Sequence, residues 1–259
     1  MKTKFEKFKA LIKMFRLLDN WDDYLKDYWR SAPQSNFRLR DGKIINGIER
    51  VIFNEIFIYE DYFPNENFKI KKGDIVMDIG ANVGTFSIYC KDAKKIYAFE
   101  PVLENIKLLK GNLLKNSITN VEVIDKAVTS KKGFQKIYIS GKNNAAHTLI
   151  NSDVVETIRT EIINTIPLED FIKENKIKEI NFLKLDCEGS EFEILYSLSE
   201  ESFKKIDKIS MEVHNFTGKE DFNKLVDFLR KKGFEVERSE IYNEILMMVY
   251  AIKPHLKIV

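Results

Sequence analysis

Apolar positions recur along this chain with more than one period, and the changes of period divide it. Phe5, Phe8, Leu11, Ile12, Phe15 and Leu18 are spaced as on a helix, with lysines between them. That spacing predicts a helix over roughly residues 3–30, ending near Pro33. Residues 37–63 are β-like instead: Phe37-Arg-Leu-Arg40, a turn at Asp41-Gly42, and a second strand over Val51–Ile58. Asp-Gly between apolar-alternating segments is a hairpin signal.

From Gly73 onward, short apolar runs alternate with amphipathic stretches. Strands are predicted at Ile75–Ile79, Lys95–Phe99, Val121–Ile124, Ile180–Leu185, Lys208–Val213, Phe234–Arg238 and Ile245–Ile252. Helices are predicted near 84–92, 102–116, 190–199 and 219–232, and an inserted hairpin with a loop at 134–150. Such alternation builds βαβ units whose mostly parallel sheet is covered on both faces. The expected architecture is α/β: a Rossmann-like, seven-stranded, mostly parallel sheet over residues 71–259. Residues 1–70 are expected to form a helical and β-hairpin extension.

Composition narrows the class. The chain has 259 residues, 44% of them hydrophobic and 32% charged, as in ordinary globular proteins. Its 42 basic and 40 acidic residues are well mixed, which argues against a polynucleotide partner. Only two cysteines occur, Cys90 and Cys187, both in stretches that read as core, so a reduced cytoplasmic protein is expected. No apolar run approaches a membrane span, and Lys13 and Arg16 interrupt any signal-peptide reading of the N-terminus. The basic helix over residues 3–18 is expected to dock on its own domain or on a second subunit of a homo-oligomer. A weak membrane-surface contact is the lesser alternative.

The candidate chemistry lies at strand ends. Ile75–Ile79 contains Asp78, and Gly80-Ala-Asn82-Val-Gly84 turns the chain into the next helix. In an open α/β sheet, ligands bind beyond the carboxyl ends of the strands at the topological switch point. Glycine there lets backbone approach the ligand. Twenty residues after Gly80 the next strand ends in Glu100-Pro101, where a carboxylate can accept ribose hydroxyls. The third strand ends at Asp125-Lys-Ala127, with Asp125 placed for an adenine amino group and Asp78 for an ammonium. Three acidic tips suit a purine nucleoside with a cationic tail better than a pyrophosphate. The nicotinamide-dependent oxidoreductase reading is weakened further because Gly80-x-x-x-Gly84 lacks the middle glycine of G-x-G-x-x-G.

These motifs resemble the FkbM family of class I S-adenosylmethionine-dependent methyltransferases. Asp78-Ile-Gly-Ala-Asn82-Val-Gly84 looks like the family's first motif and Phe99-Glu100-Pro101 like its second. Val123-Ile-Asp-Lys-Ala127-Val and Lys184-Leu-Asp186-Cys-Glu188-Gly189-x-Glu191 are similar to two more, and Tyr62 lies in a segment that often precedes the first. The resemblance spans about residues 37–252. It implies S-adenosyl-L-methionine as cofactor, held through Asp78, Gly80, Asn82, Gly84, Glu100, Pro101, Asp125 and Ala127. It also implies O-methylation, often of sugars, glycans or secondary metabolites.

The reacting end then falls at Asp186, Glu188, Glu212 and His214. Methyl transfer needs alignment and removal of a proton from the acceptor. Asp186 is the first choice for base or anchor, His214 the second, with Glu188 beside them and Tyr62 and Glu212 facing substrate. Carboxylates and an imidazole at neighbouring tips can also take a divalent ion, but their spacing forms no metal signature and a metal-free mechanism is expected. His147 is expected in a surface loop. The remaining alternative is a non-catalytic binding module that uses the N-terminal helix as its contact.

Overall fold

The central apolar runs, such as Phe182–Leu185, pair into one sheet because burial on both faces leaves their backbone groups no partner but a neighbouring strand. The structure, a computed structural model, describes residues 4–30, 35–140, 147–150, 157–216, 218, 220–239 and 245–257, with backbone alone at 4–7 and 26–30. The N-terminal part comprises α1 (Lys4–Leu17), α2 (Trp21–Arg30), β1 (Ser35–Arg38), β2 (Ile44–Ile48) and α3 (Arg50–Phe53), which continues into one π-helical turn at Asn54–Ile58. Then follow β3 (Ile75–Ile79), α4 (Thr85–Tyr89), β4 (Lys95–Phe99), α5 (Leu103–Lys115) and β5 (Val121–Ile124). An insertion holds β6 (Ala127–Thr129), β7 (Gly133–Ser140) and β8 (Thr157–Pro167). The chain re-enters the sheet through α6 (Leu168–Glu174), β9 (Phe182–Leu185), α7 (Glu191–Tyr196), α8 (Glu200–Lys205) and β10 (Lys208–His214). It ends with α9 (Phe222–Lys231), β11 (Glu235–Arg238) and β12 (Leu246–Ile252).

The seven strands lie in the order β11-β12-β10-β9-β3-β4-β5. β5, β4, β3, β9 and β10 are parallel, while β12 runs antiparallel between β10 and β11. This is the expected α/β, mostly parallel sheet. Strand order reverses at β3: the chain leaves it toward β4 and β5, then returns on its other side with β9. The carboxyl ends of β3 and β9 therefore flank the switch-point crevice.

Alternation along the strands sends side chains to two cores. Met77, Ile79, Leu183 and Leu185 pack with Phe171, Ile194 and Leu225. Val76, Ile96, Ala98 and Phe182 pack on the other side with Phe63, Phe86 and the N-terminal Met14, Leu18, Phe37 and Phe53. The N-terminal extension thus shares a core with the sheet. Among the described residues no helix is long and apolar enough to cross a membrane.

Three expectations are corrected. The predicted helix over 3–30 breaks after Leu17, where Leu18 bridges Leu39 and the Asn20 side chain bonds Asn36 O and Arg38 N at 2.8 and 2.7 Å. Val51–Ile58 is helical, not a strand. The turn at Asp41-Gly42 closes directly onto β2, with Phe37 opposite Ile45, so the hairpin has its partner before residue 51. Phe53 and Phe57 then share a helix face and pack against Phe37 and Tyr89. The hairpin expected within 134–150 is larger: β7 pairs antiparallel with β8, Phe134 opposite Asn164, and residues 141–146 and 151–156 lie outside the described residues.

Candidate functional site

The turn after β3 is fixed by sterics. Gly80 has φ +78°, and a β-carbon there would stand 1.7 Å from the Asp186 carbonyl oxygen at the end of β9. Only glycine lets the two strand tips meet this closely. Asn82 also takes positive φ, at 49°, and Gly84, at 88°, opens α4. The amides of Gly80 and Ala81 both donate to the Phe99 carbonyl, at 3.1 and 2.9 Å, which ties the turn to β4.

That tie brings Glu100 under the turn. Its Oε2 accepts from the Asn82 amide at 2.9 Å, and its Oε1 from the Val102 amide at 2.9 Å and Asn105 Nδ2 at 3.3 Å. Burial nonetheless pushes the carboxyl up to about 7, the hydrogen bonds offsetting only part of the desolvation. Glu100 lines a cavity of about 280 Å³ at the carboxyl ends of the strands.

Of the residues expected at the cofactor, Gly80, Asn82, Glu100, Pro101 and Ala127 line this cavity. Of those expected near the acceptor, Tyr62, Asp186, Glu188 and Glu212 do. Gly84 does not line it and packs on Leu109 instead. Asp125 is exposed where the chain turns from β5 into β6, and the next three residues, Lys126, Ala127 and Val128, face the cavity in its place. Asp78 is wholly buried behind the wall. Its Oδ2 accepts from Ser87 Oγ at 2.7 Å, and its Oδ1 stands 3.4 Å from Lys184 Nζ. Burial raises its pKa, with Lys184 and Ser87 opposing. The picture of three acidic tips facing one ligand therefore reduces to Glu100. His147, expected on the surface, lines the cavity and accepts from the Ser140 amide at 3.1 Å through Nδ1; burial lowers it to about 4, so it is neutral.

Two buried charges were not singled out from the sequence. Lys184, on β9, donates to the Gly80 carbonyl at 2.7 Å and lies 3.4 Å from both Asp78 Oδ1 and Asp186 Oδ2. Burial alone would lower it, but the two carboxylates hold it above its ordinary value. Glu191 accepts from the amides of Cys187 at 2.9 Å and Gly189 at 3.1 and 3.2 Å. Both belong to the run from Lys184 to Glu191, and an acid at the start of α7 is the signal that marks Glu191.

Asp186 accepts from the Tyr62 hydroxyl at 2.7 Å. Burial would raise its pKa, but Lys184, His214 and that hydroxyl together hold it down. His214, at the tip of β10, is enclosed by acids: Nε2 is 3.3 Å from Glu212 and 3.6 Å from Glu188, and Nδ1 is 3.4 Å from Glu191. Desolvation opposes its charge, yet the three carboxylates hold it protonated well above the usual imidazole range. Glu188, at φ +55°, is pushed up to about 8 by burial, with His214 opposing. Asp186, Glu188 and His214 offer ligand atoms that all lie within 4.8 Å of one another. The arrangement places two cations, Lys184 and His214, among five carboxyl groups: Asp78, Asp186, Glu188, Glu191 and Glu212.

Comparison with known proteins identifies a family for the chain. A family model described as the methyltransferase FkbM domain matches residues 78–236. "Methyltransferase 1" of Beauveria bassiana is 27% identical over 209 residues, covering 71% of this chain and 80% of that protein. "31-O-demethyl-FK506 methyltransferase FkbM" of Streptomyces tacrolimicus is 26% identical over 222 residues, 73% of this chain and 83% of that protein. "Hexuronic acid methyltransferase AglP" of Haloferax volcanii is 24% identical over 159 residues, 60% of this chain and 62% of that protein.

Proposed function

The chain belongs to the FkbM methyltransferase family, and we propose that it is an S-adenosyl-L-methionine-dependent O-methyltransferase acting on a hydroxyl of a sugar, glycan or secondary metabolite. Family membership sets aside the nicotinamide-dependent oxidoreductase. The relatives named for 31-O-demethyl-FK506 and hexuronic acid support a hydroxyl-bearing acceptor. The observation that carries the cofactor assignment is Glu100, a buried carboxylate at the tip of β4 lining the cavity.

When bound, S-adenosyl-L-methionine supplies a methyl group on an electrophilic sulfonium. The residues that would hold it are those that line the cavity around the first turn: Gly80, Asn82, Glu100, Pro101 and Ala127. A carboxylate has about four acceptor positions, and the three hydrogen bonds already made by Glu100 leave one for a ribose hydroxyl. A second comes free if the 3.3 Å contact from Asn105 yields. Asp78 acts behind this wall, holding Lys184 and through it the Gly80 carbonyl and Asp186.

At the acceptor end the chain must orient a hydroxyl and take its proton. His214 is a poor base, because its ring is held protonated by Glu188, Glu191 and Glu212. Asp186, held low by Lys184 and Tyr62, suits a hydrogen-bond acceptor that orients the hydroxyl. Glu188, at about 8, has a proton affinity matched to general-base work near neutrality. We therefore assign Glu188 as base, Asp186 with Tyr62 and Glu212 as the acceptor cradle, and His214 as the charge that binds the acids together. Screening sugars, glycans and polyketide alcohols for acceptor-dependent release of S-adenosylhomocysteine tests the reading. Methylation confined to nitrogen or carbon acceptors would overturn it.

A further inference from the structure

Among the described residues the outward face of α1 carries a stripe of exposed apolar side chains. Met14 and Leu18 point inward and are almost wholly buried, so the helix is already anchored. Phe8, Leu11, Ile12 and Phe15 recur at i, i+3, i+4 and i+7 on the outer face and are 59%, 41%, 38% and 37% exposed. Trp21 extends the stripe, its ring 5.0 Å from that of Phe15 and edge-on to it. An anchored helix has no need of a second apolar face, and contiguous exposed apolar surface marks a docking site.

Charge says what docks there. Residues 1–17 contain Lys2, Lys4, Lys7, Lys9, Lys13 and Arg16 against Glu6 alone. Lys13 pairs with Glu60 at 2.8 Å and Lys9 is also engaged, while Asp19, Asp22 and Asp23 follow at the Trp21 end, so the positive excess lies on α1 itself. Helical periodicity of about 100° per residue puts Lys9, Lys13 and Arg16 together along one flank of the apolar stripe. A second copy meeting this face would bring two basic strips together, which disfavours self-association. Apolar side chains flanked by basic ones suit a surface with acyl chains beneath anionic headgroups.

We propose that α1 docks this protein on an anionic membrane surface. The helix packs on the turn Asn54–Ile58, whose Glu55 and Ile56 line the cavity, so docking brings the cavity near the bilayer. The inference stands apart from the chemistry assigned to the site.

Co-sedimentation with phosphatidylcholine vesicles, with and without phosphatidylglycerol, tests it. The wild type should sediment only when phosphatidylglycerol is present, and less so at high salt. The double variant Phe8→Ser, Leu11→Ser, with an unchanged melting temperature, should partition at least about ten-fold more weakly. Failure of the wild type to bind anionic vesicles, or equal binding by the double variant, overturns the proposal. So does a light-scattering dimer that the same substitutions disperse, since a second copy would then cover the stripe. Calorimetry with S-adenosylhomocysteine on the same samples reads the cofactor site independently.

Discussion

Glu100 makes the cofactor site pH-sensitive in a calculable way. In the ligand-free protein its carboxyl titrates near 7 because it is buried. The ionised carboxylate is the stronger acceptor, and with three N–H donors already on Glu100 its acid form has little acceptor capacity left for a ribose hydroxyl, so binding at lower pH must first expel a proton. The apparent Kd is then multiplied by 1 + 10^(pKa − pH), about 1.1 at pH 8, about 2 at pH 7 and about 11 at pH 6. Calorimetric titration of S-adenosylhomocysteine should therefore show about ten-fold weaker binding at pH 6 than at pH 8. Stability should move the other way. Glu100 titrates higher in the folded protein than its ordinary 4.5, so its stabilising protonation is complete below 4.5 and lost as pH rises through about 7. The 2.5-unit difference corresponds to roughly 3 kcal/mol. Glu188 shifts in the same direction, so a Glu188→Gln variant is the control, and it should keep the affinity slope. Equal affinity at pH 6 and pH 8 would refute the assignment of Glu100 to the ribose.

Three further outcomes follow from the same contacts. With saturating cofactor, kcat should rise with pH and level off above about 8, as Glu188 loses its proton; Glu188→Gln should remove both the limb and about two orders of magnitude or more of rate, and an unaltered profile assigns the base elsewhere. Lys184→Met leaves the buried Asp78 and Asp186 without their shared cation and should cost about 3–5 kcal/mol in urea unfolding, partly recovered by adding Asp78→Asn; additive effects would show that the pair does not interact. Gly80→Ala drives a β-carbon into the Asp186 carbonyl and should destabilise by more than about 3 kcal/mol while abolishing S-adenosylhomocysteine binding; a wild-type melting curve would contradict the packing of these tips.

Much of the fold could be read from the sequence because the sheet strands are short apolar runs, each cut off by a glycine turn or an amphipathic helix. Ile75–Ile79, Lys95–Phe99 and Val121–Ile124 form at the predicted residues. Val51–Ile58 misled because its β-branched and aromatic residues favour a strand, while the tight turn at Asp41-Gly42 had already given β1 a partner in Ile44–Ile48. The site was legible as a set of strand tips, but the direction of each side chain was not. Asp78 and Glu100 look alike as acids at strand ends. Packing against Lys184 and Ser87 turns Asp78 away from the cavity, and the amide of Asn82 draws Glu100 to it. Asp125 fell outside because β5 ends at Ile124 and the chain is already turning. His214 looked like a base by residue type. Three carboxylates from β10 and the loop and helix after β9 change its protonation, and only the fold brings them together.

The most direct test is a crystal structure with S-adenosylhomocysteine. Its ribose should lie against Glu100, its adenine between Pro101 and Ala127, and its thioether toward Asp186 and Glu188. A nucleoside bound elsewhere, with Glu100 still bonded only to Asn82, Val102 and Asn105, would contradict the account.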